Sequence, residues 1–283
     1  MLIHELLAQG PCFSFEFFPP KNDEEQLRLT EAIRELEPLR PAFVSVTYRG
    51  GRSSRERTTA VVLDLLHTTS ITPMPHLTCV CHTRLELEEI VSTFVQAGLP
   101  NLLALGGDPV DDGPVGELTH AVELVQLARW VGSRSIGVAA QPAGHPRSPT
   151  LTQDRDRLAA KLAAADFAIT QLFFDRDEYL RLVDDMASRG VHKPIVPGIM
   201  PVTTLRSITR MAELSGYSVP DHVVDRLAPL EADPSAVRTA GIEMASELCR
   251  DLLEAGAPGL HFFTLNRSTA TREIYRALGL APV

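Results

Sequence analysis

Short apolar runs rich in β-branched and aromatic residues alternate along the chain with longer segments whose apolar positions recur every three or four residues. The runs fall at 12–18, 43–48, 76–80, 102–105, 135–141, 168–174, 195–199 and 259–264. Near-continuous hydrophobicity over so few residues predicts parallel strands buried on both faces. The segments 24–36, 55–66, 85–97, 117–130, 154–164, 177–189, 205–214 and 234–255, and a last one from about 270 to 278, carry helical spacing. Strand starts recur roughly every 30 residues, except before the last strand, where an extra helical segment intrudes. Eight β/α units in this rhythm predict an α/β fold, a single (β/α)8 TIM barrel occupying residues 1–283. A doubly wound open sheet is the competing architecture, but no G-x-G-x-x-G follows any strand. No low-complexity tract, linker or charge block marks a second domain.

Charge narrows the range of partners. With 27 Lys+Arg against 36 Asp+Glu the net charge is −9, which argues against a general nucleic-acid binder. A local basic pocket for a phosphorylated or polyanionic small molecule remains compatible with it. No apolar stretch reaches the ~18 to 20 residues that span a bilayer, so no membrane association is expected. Met1 to Gly10 carries His4 and Glu5 and lacks a basic start followed by an apolar run, unlike a signal peptide. The four cysteines, Cys12, Cys79, Cys81 and Cys249, are too scattered for a disulfide scaffold. Cys79 and Cys81, with His76 and His82 nearby, read as residues on opposite faces of a buried strand rather than as a zinc site. No metal is expected, and the location is expected to be cytoplasmic.

In a barrel, active sites gather at the C-terminal ends of the strands, and polar residues do collect there. Phe13-Ser-Phe-Glu-Phe-Phe-Pro-Pro20 sets Glu16 among four phenylalanines. A carboxyl flanked by apolar rings loses hydration as an anion, so Glu16 reads as a proton donor; pairing with a buried cation is the alternative. The second strand ends in Thr47-Tyr48, before a basic loop, Arg49 to Thr58, that opens a helix and suits phosphate. The fourth ends in Gly106-Gly107-Asp108, where small residues admit a ligand and Asp108 can accept hydrogen bonds. Gln141 and His145 follow the fifth, and Gln171 on the sixth offers donor and acceptor to an amide-bearing ring.

Taken together, these segments closely resemble the methylenetetrahydrofolate reductase family in its short bacterial form. The matching pieces are Ser14-Phe-Glu-Phe-Phe-Pro-Pro20, Val44-Ser-Val-Thr-Tyr48, Pro75-His-Leu-Thr-Cys79, Gly107-Asp108, Ala168-Ile-Thr-Gln171 with Phe173-Phe174-Asp175, Pro197-Gly-Ile-Met-Pro-Val202 and Phe263-Thr-Leu-Asn-Arg267. The resemblance implies reduction of 5,10-methylenetetrahydrofolate to 5-methyltetrahydrofolate with electrons from NADH or NADPH, usually through bound FAD. It implies that Glu16 protonates folate N10 and that Asp108 hydrogen-bonds the pterin and stabilises the cationic intermediate. By the same resemblance Gln171 binds pterin or nicotinamide, and Arg267 pairs with the glutamate tail of folate. Thr47, Tyr48, His76, Gln141, His145, Asp154 and Lys161 fall on the cofactor side. The resemblance leaves a homo-oligomer through outer barrel helices open.

The departures from the pattern concentrate where the family binds FAD. The usual L-R-G-D reads Leu105-Gly106-Gly107-Asp108, and A-A-Y-P reads Ala139-Ala140-Gln141-Pro142. Aligned through Lys161, an asparagine and an arginine of the family become Arg157 and Ala160. Ser207 and Met211 stand where some relatives have glutamine and phenylalanine. Each lost charge-assisted bond is worth about 1.5 to 3 kcal/mol, so two or three losses weaken cofactor binding by roughly 10³-fold or more. The expectation is direct hydride transfer from NAD(P)H in a ternary complex, with little or no FAD. A conventional FAD enzyme with a rearranged pocket is one alternative, and a folate-binding barrel without catalysis is another.

Overall fold

The computed structural model describes residues 1–48, 52–108 and 116–280, the side chains of 52–54 excepted. Its strands are β1 (Cys12–Phe17), β2 (Phe43–Val46), β3 (Pro73–Thr78), β4 (Asn101–Leu105), β5 (Ser135–Ala140), β6 (Phe167–Thr170), β7 (Ile195–Val196), β8 (Gly198–Ile199) and β9 (Gly259–Phe263). All pair in parallel, in the order β7-β6-β5-β4-β3-β2-β1-β9-β8. β7 and β8 are two halves of one strand broken at Pro197. The first half pairs with β6 through Ala168↔Ile195, and the second with β9 through Gly198↔His261. The sheet thereby closes at eight strand positions, the TIM barrel that the strand rhythm predicts. Proline has no N–H to give to the ladder. At this seam the Gly198 N–H donates to Thr170 Oγ1 (2.8 Å), and the Pro197 carbonyl accepts from the His261 N–H (2.9 Å).

The helices are α1 (Ile3–Gln9), α2 (Asp23–Leu36), α3 (Arg52–Thr68), α4 (Arg84–Gln96), α5 (Ala121–Val131), α6 (Leu151–Ala164), α7 (Arg176–Ser188), α8 (Leu205–Leu214), α9 (Asp221–Leu227), α10 (Pro234–Glu254) and α11 (Thr269–Ala277). Three of them, α8 to α10, lie between β8 and β9, where the sequence pattern places the extra helical segment. Several begin with side-chain caps: Asn22 before α2, Thr83 with Glu86 in a capping box before α4, and Asp233 before α10. None of the described helices is long and apolar enough to cross a membrane.

Two strand boundaries differ from the sequence-based expectation by three residues or more. β3 begins at Pro73, although prolines argue against a central strand. Pro73 and Pro75 pair only with β2, and pairing to β4 begins at His76, so neither missing N–H interrupts a two-sided ladder. β6 stops at Thr170, because the chain then turns toward α7, whose first N–H groups are capped by Asp175.

Outward side chains such as Phe15, Phe17, Val44, Val46, Leu102, Ala104, Val138, Leu260 and Phe262 join the helices in the main core. Inward side chains Cys12, Phe43, Met74, Leu103, Phe167, Ile169 and Val196 fill the lower barrel together with Ile3 and Leu7 of α1. This helix has no counterpart among the sequence-predicted ones, because seven residues are too few to show a helical period. It is fastened by the strand starts: Asn101 Oδ1 accepts the Ile3 N–H (3.0 Å), and Ser135 Oγ accepts the His4 N–H (3.2 Å). Ile3 is fully buried in this plug. Ile3→Ala is expected to lower unfolding stability by about 2 to 4 kcal/mol, measured as a shift of the urea midpoint at unchanged slope.

Candidate functional site

Above the apolar floor the inward positions turn polar. β1 contributes Ser14 and Glu16, β2 contributes Ser45, β3 contributes His76 and Thr78, and β9 contributes His261. Thr47 follows β2. The register sets Glu16 beside Ser45 and Ser14 beside His261. Glu16 is buried, and its Oε2 lies 3.6 Å from His76 Nε2 and 3.8 Å from His261 Nε2. The expected phenylalanine surround is therefore corrected. Phe15 and Phe17 leave the opposite face of the strand, and Phe13 meets the Tyr275 ring of α11 at 5.9 Å on the helix side. Strand alternation sends the odd positions outward, so these three rings flank Glu16 in sequence but not in space.

Burial holds the His76 imidazole at about 4, with Glu16 opposing the shift and His261 adding to it. The ring is therefore neutral at ordinary pH. Among the described residues, Thr47 Oγ1, His76 Nε2 and Thr78 Oγ1 are all buried without a hydrogen-bond partner. Buried polar atoms are ordinarily paired, and these three line one wall of the mouth beside Glu16. Tyr48 lies behind that wall, its hydroxyl hydrogen-bonded to the His82 ring.

The other cofactor-side residues lie above β5 and are bonded within the protein. Asp154 accepts from the His145 N–H (3.0 Å) and the Ser148 hydroxyl (3.0 Å), and pairs with Arg155 (3.3 Å). Lys161 donates to the Ala139 carbonyl, and burial lowers its ammonium to about 8. Gln141 Oε1 accepts from the Tyr217 hydroxyl (2.9 Å), and Arg155 donates to the Gln141 and Pro142 carbonyls. Burial lowers the His145 ring, with Arg147 adding to the effect.

The remaining predicted residues stand on the rim. Asp108 follows β4 with 90% of its side chain exposed and faces Arg147 at 3.3 Å. The same guanidinium donates to the Gly107 carbonyl (3.0 Å). Gln171 Oε1 accepts from the Leu172 N–H (2.9 Å). Arg267 is exposed, just after Leu265 and Asn266, both with positive φ (52° and 55°). Asn266 pins this strained turn to β1 by accepting the Phe18 N–H (2.8 Å) and donating to the Phe18 carbonyl (2.9 Å). Arg49, the side chain of Arg52, and residues 109–115 lie outside the described residues. Cys79 and Cys81 do not occupy opposite faces of a strand: residues two apart on a strand share a face, and neither lies on β3. Both sit in the turn after β3, Cys81 at φ 63°, because the pairing of β3 ends at Thr78.

A sequence model described as methylenetetrahydrofolate reductase matches residues 2–279. The chain belongs to the methylenetetrahydrofolate reductase family. It is 35% identical over 270 residues to 5,10-methylenetetrahydrofolate reductase of Pectobacterium carotovorum subsp. carotovorum, covering 95% of this chain and 90% of that one. The 5,10-methylenetetrahydrofolate reductase of Escherichia coli (strain K12) is 34% identical, with 95% and 91% covered. A probable methylenetetrahydrofolate reductase (NADPH) of Caenorhabditis elegans is 35% identical across 99% of this chain, which spans 44% of that longer protein. Among solved structures, an uncharacterized protein from Clostridium thermocellum that binds two copies of 5-methyl-5,6,7,8-tetrahydrofolic acid shares the fold. Its TM-score is 0.68 at 14% identity, with 99% of this chain and 98% of that one covered. The chain is thus a methylenetetrahydrofolate reductase-type oxidoreductase by family.

His261, Ser14, Ser45 and Thr78 escaped the sequence-based reading, although counting in steps of two from Glu16 and His76 reaches Ser14 and Thr78. Arg147, Arg155 and Tyr217 carry no such signal, because their partners lie across loops. His76 supplies a pH test. Its folded value of about 4 lies below the ordinary histidine value of 6.5, so between these limits the unfolded chain binds more protons. Stability associated with the neutral ring is present above about 6.5 and lost as pH falls toward 4. His76→Gln is expected to flatten the fall in urea midpoint across that window, measured against the parent protein.

Proposed function

We propose that the protein reduces 5,10-methylenetetrahydrofolate to 5-methyltetrahydrofolate by direct hydride transfer from NADH or NADPH, without FAD. The observation that carries the chemistry is a buried carboxyl at the mouth of the barrel, flanked by a neutral imidazole and unpartnered polar atoms. Glu16 gives its proton to N10, the bond from N10 to the methylene carbon breaks, and N5 and that carbon become an iminium. Hydride from the dihydronicotinamide then adds to the carbon, the nicotinamide leaves oxidised, and Glu16 regains a proton from water. Asp108 stabilises the cation, Gln171 contacts pterin or nicotinamide, and Arg267 meets the glutamate tail. Thr47, Tyr48, His76, Gln141, His145, Asp154 and Lys161 form the dinucleotide side. The chain acts as one catalytic barrel on a soluble folate.

Support for the absence of FAD comes from the positions where the chain departs from the family pattern. Gln141, where the family carries tyrosine, is tied to Tyr217. Gly106 has no side chain and Ala160 no donor. The residues present therefore do not fit FAD. An iminium carbon is already a good hydride acceptor, so a direct step needs only the two ligands together at about 3 to 3.5 Å.

Two measurements test this reading. Glu16→Gln is expected to lower kcat by about 10² to 10⁴-fold, in a steady-state assay following dihydronicotinamide oxidation; an unchanged rate removes the acid assignment. Purified active protein is expected to lack a flavin absorption band and to give intersecting initial-rate plots. Parallel lines or bound flavin would establish the conventional FAD enzyme instead.

A further inference from the structure

We infer that His261 is a positioning residue that sets the orientation of the Glu16 carboxyl from beneath, an inference that rests on the reading of Glu16 as the acid. Among the described residues, the Glu16 carboxyl makes no hydrogen bond of ordinary length. Two imidazole nitrogens face it just beyond that length, those of His76 and His261. These two rings are held very differently. His76 Nε2 has no hydrogen-bond partner and lies on the wall available to a ligand.

His261 is fixed on every side. Its Nδ1 meets Ser14 Oγ at 2.7 Å and its Nε2 meets Ser45 Oγ at 3.2 Å, so hydroxyls from β1 and β2 brace a ring carried by β9. Phe43 stacks on its face at 5.8 Å and 15°, and Phe263 meets it edge-on at 5.7 Å and 90°. The Ser14 hydroxyl also reaches the Leu260 carbonyl at 3.4 Å. The Nδ1 contact is the shorter of the two, so the Ser14 hydroxyl donates to Nδ1 and Nε2 carries the ring proton. The Nε2–H then faces both the Ser45 hydroxyl and the Glu16 carboxyl, where it can hold the carbonyl oxygen as ligands close the mouth and leave the carboxylic O–H free for N10. Separations near 4 Å in a ligand-free site commonly tighten in this way.

A glutamate side chain has three rotatable bonds, and general-acid transfer to N10 requires one oxygen at one place. The braced ring provides a fixed reference on the side opposite the ligands. It needs no contact with folate or dinucleotide, so its loss is read in turnover rather than in binding.

The test compares His261→Phe, His261→Gln and Ser45→Ala with the parent protein, alone and combined with Glu16→Gln. His261→Phe is expected to lower kcat by about 10²-fold with both KM values within about threefold. His261→Gln, which keeps an N–H donor, is expected to recover much of the loss, and Ser45→Ala to give a smaller loss of the same kind. In the Glu16→Gln background, His261→Phe is expected to have no further effect, because there is no proton to position. Equal losses in both backgrounds, or a kcat for His261→Phe and Ser45→Ala matching the parent, would overturn the inference. An unchanged rate for Glu16→Gln itself would instead overturn the acid assignment. Where His261→Phe fails to fold, Ser45→Ala with and without Glu16→Gln decides the same question.

Discussion

A side chain on a closed parallel barrel has only two destinations, the interior or the layer between sheet and helices, and neighbours on a strand take opposite ones. The strand Cys12–Phe17 displays the consequence. Phe15 and Phe17 complete the helix-facing core, while Cys12, Ser14 and Glu16 climb the inner wall from apolar floor to polar mouth. The adjoining strands climb in step, from Phe43 through Ser45 to Thr47 and from Met74 through His76 to Thr78. Direct pairing of β9 with β1 brings His261 against Glu16, and the break at Pro197 ties the far side of β9 to β6 through β7 and β8. Without β9 beside β1, Glu16 would lack one of its two imidazole neighbours.

This layering resolves an energetic conflict. Buried polar groups are tolerated when they are bonded and costly when they are not. The middle layer is bonded: Ser14, Ser45 and His261 satisfy one another. The layer above is only partly so, since Thr47, His76 and Thr78 present unpartnered atoms beside Glu16. The stability cost of the site is thus confined to its outermost ring, above a plug of α1 and apolar side chains that carries none of it.

The region above β5 follows another logic. Arg155 is buried, reaches two backbone carbonyls, and pairs with Asp154 and Asp185. Tyr217 crosses from the end of α8 to Gln141, and Gly216 lies so close to Pro146 that a Cβ there would stand 2.1 Å from its Cγ. Loops from distant parts of the chain are thereby welded over the positions where this sequence departs from the family pattern. Arg147, in the same loop, extends the network to Gly107 and Asp108.

Much of the architecture was legible in advance, because strand-length apolar runs alternating with helical spacing leave few arrangements for a chain of this length. Legible too were Glu16, Asp108 and Gln171 as residues at strand ends, since position along a strand is a local property, whereas Arg267 was marked only by the family resemblance. The mistaken surround of Glu16 arose from treating neighbours in sequence as neighbours in space. The short helix α1, the strand break at Pro197 and the turn at Cys79 to Cys81 were hidden, because each depends on pairing with a remote segment. The sequence by itself determined the eight-unit barrel, its family and the polar residues available at its mouth, through patterns that repeat within a few residues. The tertiary structure alone decided which of them meet: His261 under Glu16, Arg147 on Asp108, Tyr217 on Gln141. These partners are separated by tens to hundreds of residues, and only closure of the sheet and packing of the loops set the distances between them.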